Sequence, residues 1–195
     1  MMTDLSIILD RIDLVLTTRA QLLMQDNTQP TRLTEALLDA VALFESLGIR
    51  YALIGGFAAM IYGRPRVTED VDFIAEPGHE DVLSRNPEVM RRHHFDPGCT
   101  FKLYHDSGAE IDIWKDQHVA GALDHVKAST LLGRSICVVD PHDLIAMKLR
   151  ADRPQDMYDV AEILKHTPVD EETVRERVTL REFERFSELR RRYHL

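Results

Sequence analysis

The sequence predicts an α/β unit followed by a helical C-terminal part. Two observations carry this. Up to about residue 140, short apolar runs of strand length alternate with segments of helical period, separated by turns rich in Gly, Pro, Asp and Asn. From Pro141 onward only helical spacing remains, with charges interleaved along it. At 195 residues the chain is long enough for one well-buried domain with helical additions. We expect an N-terminal helix within 1–30, a core over 31–140 and a helical part over 141–195 packed on that core.

Taken in order, Leu5–Leu23 shows apolar residues at helical spacing, and Asp26-Asn27-Thr28-Gln29-Pro30 ends it. Asp4, Asp10, Arg11 and Asp13 interrupt its apolar positions, which makes it an amphipathic helix and not a signal peptide. Thr31 is a suitable N-cap for a helix over Leu33–Leu47, with Gly48 as its stop. Arg50–Ile54 reads as a short buried strand, broken by Gly55-Gly56, and Phe57–Tyr62 resumes as helix. Gly63-Arg64-Pro65-Arg66 is a loop, because Pro65 lacks a donor and restricts Arg64 before it. Val67–Ala75 alternates as a strand, and a helix is expected over Glu80–His93. Phe101–Tyr104 and Ala109–Trp114 form a hairpin pair turned by His105-Asp106-Ser107-Gly108. Gln117–Leu132 reads mainly as helix and loop, and Ser135–Val139 as the last strand. Helices follow over Pro141–Arg150, Asp156–His166 and the charged tail Asp170–Tyr193.

Composition narrows the function classes. The net charge of −9 argues against a general DNA or RNA binder, which would be basic, but leaves room for a nucleotide arriving with its metal ion. No apolar run approaches the roughly 20 residues needed to span a bilayer. With two cysteines, Cys99 and Cys137, and no export signal, a disulfide framework is not expected and the cytoplasm is the default compartment. His93-His94 and the other histidines lack a zinc-like spacing with either cysteine.

The chemistry-bearing residues begin with Asp70 and Asp72. Side chains two apart on a strand share a face, so both carboxylates project together while Val71 and Phe73 enter the core. Their Cα atoms then lie about 6.5–7 Å apart, close enough to ligate one or two divalent cations. Alone, the pair is also what an acidic outer strand face looks like. Asp112, in Glu110-Ile111-Asp112-Ile113-Trp114, is likewise flanked by apolar neighbours and completes a three-carboxylate cluster if its strand is adjacent. Three acids held together repel unless a cation neutralises them. Glu110 shares the face but sits nearer the hairpin turn. Gly55-Gly56, where strand turns to helix, lets backbone approach a phosphate, and the helix start offers free N–H groups. Structural turns use the same pair. Together these parts describe phosphoryl-group chemistry.

Gly55-Gly56, thirteen intervening residues, then Asp70-Val71-Asp72-Phe73 resembles the signature of the DNA polymerase β-like nucleotidyltransferase superfamily. The stretch ALIGGFAAMIYGRPRVTEDVDF is similar to its minimal bacterial branch, which includes AbiEii-type toxins and MNT-like proteins. The resemblance spans roughly residues 33–165. It implies a nucleotidyltransferase fold, with a mixed β-sheet packed against helices, and a nucleoside triphosphate (NTP) bound with Mg2+, or with Mn2+ in its place. By position, Asp70 and Asp72 would hold metal; Asp112 would be the third ligand and would activate the acceptor hydroxyl. Many members carry Ser where Gly56 stands, so here only backbone donors remain at that point.

Among supporting residues, Arg64 and Arg66 precede the acidic strand and could reach the triphosphate, or pair with an acid. In the helix opened by Asp140-Pro141, Leu144, Met147 and Ala151 form the expected buried stripe, with Lys148 on a different face. Lys148 resembles the triphosphate lysine of AbiEii-like proteins, and Arg150, Arg153, Asp156 and Asp159 fall where basic and acidic partners follow it. Asp156 and Asp159 share a helix face, though Asp156 also sits where an acid stabilises a helix start. Trp114 is core or an edge of the site, and Arg190-Arg191-Arg192 complements its own helix dipole.

The leading expectation is a magnesium-dependent enzyme that moves a nucleoside monophosphate from an NTP to a hydroxyl of a protein or RNA acceptor. Its residues are Asp70, Asp72, Asp112 and Lys148, with Gly55, Gly56, Arg66 and Asp156 around the nucleotide. The resemblance adds a toxin–antitoxin or phage-defence setting and a partner protein from the same operon. Two alternatives stand beside it: an enzyme acting on an antibiotic, and a non-catalytic antitoxin with this fold.

Overall fold

The computed structural model describes residues 31–85, 100–114, 121–131 and 133–194. The helix expected over Leu5–Leu23, the His93-His94 pair and Cys99 lie outside these residues. Helix α1 (Arg32–Ser46) starts where the Thr31 hydroxyl accepts the Thr34 N–H, and Gly48 after its end takes a positive φ of 67°. Its buried residues, Ala36, Leu37, Ala40, Val41 and Phe44, recur at helical spacing on one face. There follow β1 (Tyr51–Leu53), α2 (Gly55–Tyr62), β2 (Asp70–Ala75), α3 (His79–Arg85), β3 (Thr100–Tyr104) and β4 (Glu110–Trp114). A 3-10 turn (Gly121–His125) then leads into β5 (Lys127–Leu131), β6 (Arg134–Val138) and helices α4 (Pro141–Ala151), α5 (Pro154–His166), α6 (Glu171–Arg177) and α7 (Leu180–Tyr193).

The strands form one six-stranded mixed sheet in the order β3-β4-β2-β1-β6-β5. The β1–β2, β3–β4 and β5–β6 pairs are antiparallel, while β1–β6 and β2–β4 are parallel. Phe73 of β2 meets Phe44 of α1 edge-on at 5.1 Å and Tyr51 of β1 at 5.8 Å, so the odd-numbered face of β2 is the core under α1. Each buried aromatic contributes about 1.5–3 kcal/mol of transfer free energy. Asp70 and Asp72 therefore face the opposite side, where α2 stands against β2.

The structure departs from the expected elements at three places. The strand expected from Val67 starts at Asp70, because neither neighbour offers a partner further upstream: Leu53 pairs with Phe73, and Glu110, the first residue of β4, pairs with Asp70. Gln117–Leu132 was read as helix and loop, yet it contains strand β5 as well as the 3-10 turn. Strand β5 is a sheet edge exposed along most of its length, so KASTL lacks the apolar alternation that marks a half-buried strand. The helix expected over Glu80–His93 is present as α3 from His79 to Arg85, and its remainder lies outside the described residues. The charged tail is two helices, divided where Thr179 and Glu182 form a reciprocal capping box.

Helices α4 and α5 form a tight hairpin. Pro141 opens α4 behind the Asp140 cap, Asp152 ends it in the left-handed conformation, and Pro154 opens α5 after Arg153. Arg177 of α6 binds both Asp140 and Asp143, at 3.0 and 2.9 Å, and so fastens α6 to the start of α4. No helix among the described residues is long and apolar enough to cross a membrane.

Candidate active site

Parallel pairing of β2 with β4 places Asp70 opposite Glu110 and Asp72 opposite Asp112. The condition on which Asp112 depended is thus met. One carboxylate oxygen from each of Asp70, Asp72 and Asp112 lies within 4.8 Å of the others. Burial raises the Asp72 carboxyl to about 6; Trp114 opposes that rise, and the charges of Asp70 and Asp112 add to it. Asp112 is also pushed up, first by burial, against the pull of the Lys102 ammonium. Its Oδ1 is buried without an aligned hydrogen bond. A crowded set of hard oxygen donors with one buried acceptor unsatisfied fits a small divalent cation such as Mg2+ or Mn2+.

Four neighbours fix these carboxylates. The Trp114 indole N–H donates to Asp72 Oδ1 at 2.9 Å, because Trp114 lies two residues beyond Asp112 on the same face of β4. The Thr68 hydroxyl donates to Asp70 Oδ1 at 3.3 Å. Lys102, opposite Asp112 on β3, brings its ammonium to 3.2 Å from Asp112 Oδ1 and 2.7 Å from Glu110 Oε2. The fourth neighbour is the glycine turn. Gly55 has a φ of +64°, and a Cβ there would stand 1.9 Å from Asp72 Oδ2; a Cβ on Gly56 would stand 2.4 Å from the Thr68 hydroxyl oxygen. These glycines are needed to admit Asp72 and Thr68 against the backbone. The first turn of α2, which has no side-chain cap, lies beside the carboxylates.

Across the cleft, the α4–α5 hairpin supplies charge of the opposite sign. Lys148 is buried, with its ammonium 2.9 Å from both Asp156 and Asp159. Arg66 binds Asp159 through two N–H groups at 2.8 and 3.0 Å, and Arg153 binds Asp156 at 2.6 and 3.2 Å. Burial opposes ionisation of Asp156, but Arg153 and Lys148 outweigh it and hold its carboxyl below the usual range. Three cations share two carboxylates here. A cleft of about 220 Å³ separates this network from the acids, lined by Gly55, Asp72, Trp114, Met147, Lys148 and Arg153 among others. Two more open grooves border α7, and only Arg150 is common to either of them and the cleft.

One expectation is corrected by this geometry. Lys148 does not lie apart from the buried side of α4: Leu144, Ile145, Lys148 and Leu149 are all buried, whereas Ala151 is exposed and lines the cleft with Met147. The ammonium tolerates burial because two carboxylates meet it. Asp156 does stand in the first turn of α5, and there it is almost wholly buried in ion pairs. Arg66 stands beside Gly56, but its guanidinium is committed to Asp159. Arg64 is drawn away to Glu162 at 3.1 Å. Lys102 and Thr68 were missed. Counting back through the hairpin from Tyr104 opposite Glu110 puts Lys102 opposite Asp112, so that signal was available. The proximity of Thr68 depends on the glycine turn folding against its loop, which no local pattern encodes.

Residues 97–193 match the family model described as "Nucleotidyl transferase AbiEii toxin, Type IV TA system". That span holds Asp112, Lys148, Asp156 and Asp159; the glycine turn and Asp70–Asp72 precede it. No curated protein sequence matches the chain. Among solved structures, the lincosamide antibiotic adenylyltransferase LnuA, bound to lincomycin, superposes with a TM-score of 0.53 at 16% identity, covering 68% of this chain and 97% of its own. An antigenic nucleotidyltransferase-like protein from Paracoccidioides brasiliensis gives a TM-score of 0.51 at 16% identity, covering 94% of this chain and 88% of its own. At such identities the likeness shows the fold. Residues 97–193 thus resemble the AbiEii-type nucleotidyltransferase family, and the chain has the nucleotidyltransferase fold.

Proposed function

We propose that the protein transfers a nucleoside monophosphate from an NTP to a hydroxyl of a protein or RNA acceptor. The observation that carries this reading is the opposition of charge across one cleft: Asp72, crowded by Asp70 and Asp112, lines it on the sheet side, and Lys148, Arg150 and Arg153 line it on the side of the helical hairpin. A divalent cation held by Asp70, Asp72 and Asp112 would neutralise the triphosphate and position it. Lys148 and Arg153 would meet phosphate oxygens from the other wall, and the first turn of α2 would offer backbone N–H groups. The acceptor oxygen attacks the α-phosphorus, the bond from that phosphorus to the bridging oxygen breaks, and pyrophosphate leaves. Asp112, whose raised basicity suits the task, takes the acceptor's proton. Asp156 and Asp159 hold Lys148 in place, and Arg66 steadies Asp159.

The family description supports a toxin–antitoxin setting, and to it we add a partner from the same operon and action in the cytoplasm, where NTPs are supplied. The test is incubation of the protein with each radiolabelled NTP and Mg2+, with total cell protein and RNA as acceptors. Label should appear in one macromolecular fraction with the wild type, and fall by on the order of 10³-fold when Asp70→Ala and Asp72→Ala are combined. Equal labelling by both would overturn the proposal. Label confined to small molecules would move the acceptor to that class.

A further inference from the structure

Lys102 belongs to no element that the proposed reaction has used. It lies in a row across three adjacent strands, Lys102 on β3, Asp112 on β4 and Asp72 on β2, each opposite the next. Its ammonium touches Asp112 Oδ1 at 3.2 Å and Glu110 Oε2 at 2.7 Å, with its side chain about a quarter exposed. The ammonium donates a hydrogen bond to Glu110 and stands at ion-pair distance from Asp112, whose Oδ1 takes no aligned hydrogen bond. A fixed positive charge therefore already stands at the Asp112 end of the acidic cluster, on the side away from Asp72. A second divalent cation bridging Asp112 would have to share that carboxylate with the ammonium, against the repulsion between a univalent and a divalent charge.

We propose that Lys102 stands in place of a second metal ion: the site takes one divalent cation, at Asp70 and Asp72 with Asp112 shared, and the Lys102 ammonium serves the acceptor side. The Lys102 ammonium donates to the acceptor oxygen and stabilises the negative charge that grows on it as its proton passes to Asp112. The ammonium keeps its own proton throughout. This rests on the nucleotidyl-transfer reading and gives it a metal count. Glu110, opposite Asp70 and nearer the hairpin turn, anchors the ammonium and leaves the metal to the three aspartates.

The test counts Mn2+ ions per nucleotide-bound chain by electron paramagnetic resonance, using the full chain with each α,β-methylene nucleoside triphosphate in turn. The wild type should bind one ion. Lys102→Met should bind two, and Lys102→Arg, which keeps the charge, should bind one. In labelled-NTP assays, Lys102→Met should lower kcat at least tenfold while KM for the NTP changes less than twofold, and its rate should depend on Mn2+ to second order instead of first. Two ions in the wild type, or one ion in Lys102→Met with unchanged metal dependence, would overturn the inference. If Lys102→Met fails to fold, as judged by circular dichroism, Lys102→Gln, which also removes the charge, takes its place with the same expected counts and rates. An active wild type holding two ions overturns only the role of Lys102; a wild type that binds no ion and labels nothing overturns the nucleotidyl-transfer reading as well.

Discussion

The two walls of the cleft treat charge in opposite ways. On the sheet, Asp70, Asp72 and Asp112 crowd together with little compensation, and burial raises the carboxyls of Asp72 and Asp112. On the helical hairpin, Lys148 and Arg153, joined by Arg66 from the loop before β2, are matched against Asp156 and Asp159 at hydrogen-bonding distance, and the Asp156 carboxyl is held low. The first wall is unfavourable until something positive arrives. The second is satisfied as it stands, with one positive charge to spare. This asymmetry separates a binding site from its support: the triad has unmet demand, whereas the network owes its shape to pairs already made. It also predicts that removing charge has opposite effects on stability at the two walls.

The largest effect is expected at the helical wall. Lys148→Met leaves Asp156 and Asp159 buried with only the arginines to balance them, which should cost about 3–5 kcal/mol in urea unfolding and abolish transfer. A loss below about 1 kcal/mol would show that the ammonium is not integral to the fold. At the sheet wall the sign reverses. In the metal-free protein, folding raises the Asp72 carboxyl from its ordinary value near 3.8 to about 6. Its ionisation therefore weighs against the folded state increasingly as pH rises from about 4 to 6, then by a constant amount. Asp72→Asn should stabilise the metal-free protein by about 1–2 kcal/mol at pH 7.5, and the gain should vanish below pH 4. A stability loss at pH 7.5 would contradict the contrast between the walls. The smallest effect is expected at Trp114. Trp114→Phe removes the N–H that holds Asp72 Oδ1 and should weaken Mn2+ binding by about 1 kcal/mol, or roughly fivefold, measured by calorimetry.

Much of the sheet wall was legible in the sequence. Asp70 and Asp72 flank Val71, and the period of a strand alone puts them on one face and Phe73 on the other. The hairpin that carries Asp112 was readable from its turn, and with it the register that sets Lys102 opposite. The helical wall was harder. Apolar spacing along α4 placed Met147 and Ala151 inward and Lys148 elsewhere, but the chain buries Lys148 because Asp156 and Asp159 on the next helix receive it. A hydrophobic pattern assumes that charge stays in water; a salt-bridge network overrides that assumption. Thr179 and Glu182 did carry the signature that divides the tail, and the interleaved charges around them masked it.

By itself the sequence determined what depends on neighbours within a few residues. That covers the common face of Asp70 and Asp72, the Gly55-Gly56 break that precedes them, the Thr31 cap and the β3–β4 hairpin. Strand period, φ preference and side-chain capping act locally and can be read locally. Tertiary structure alone decided that β4 lies parallel beside β2, that Lys148 is enclosed by two acids, and that the two glycines are required by Asp72 and Thr68 pressing on them. Those outcomes depend on which distant surfaces share a buried space, and there electrostatic pairing and close packing outweigh any preference a segment has alone.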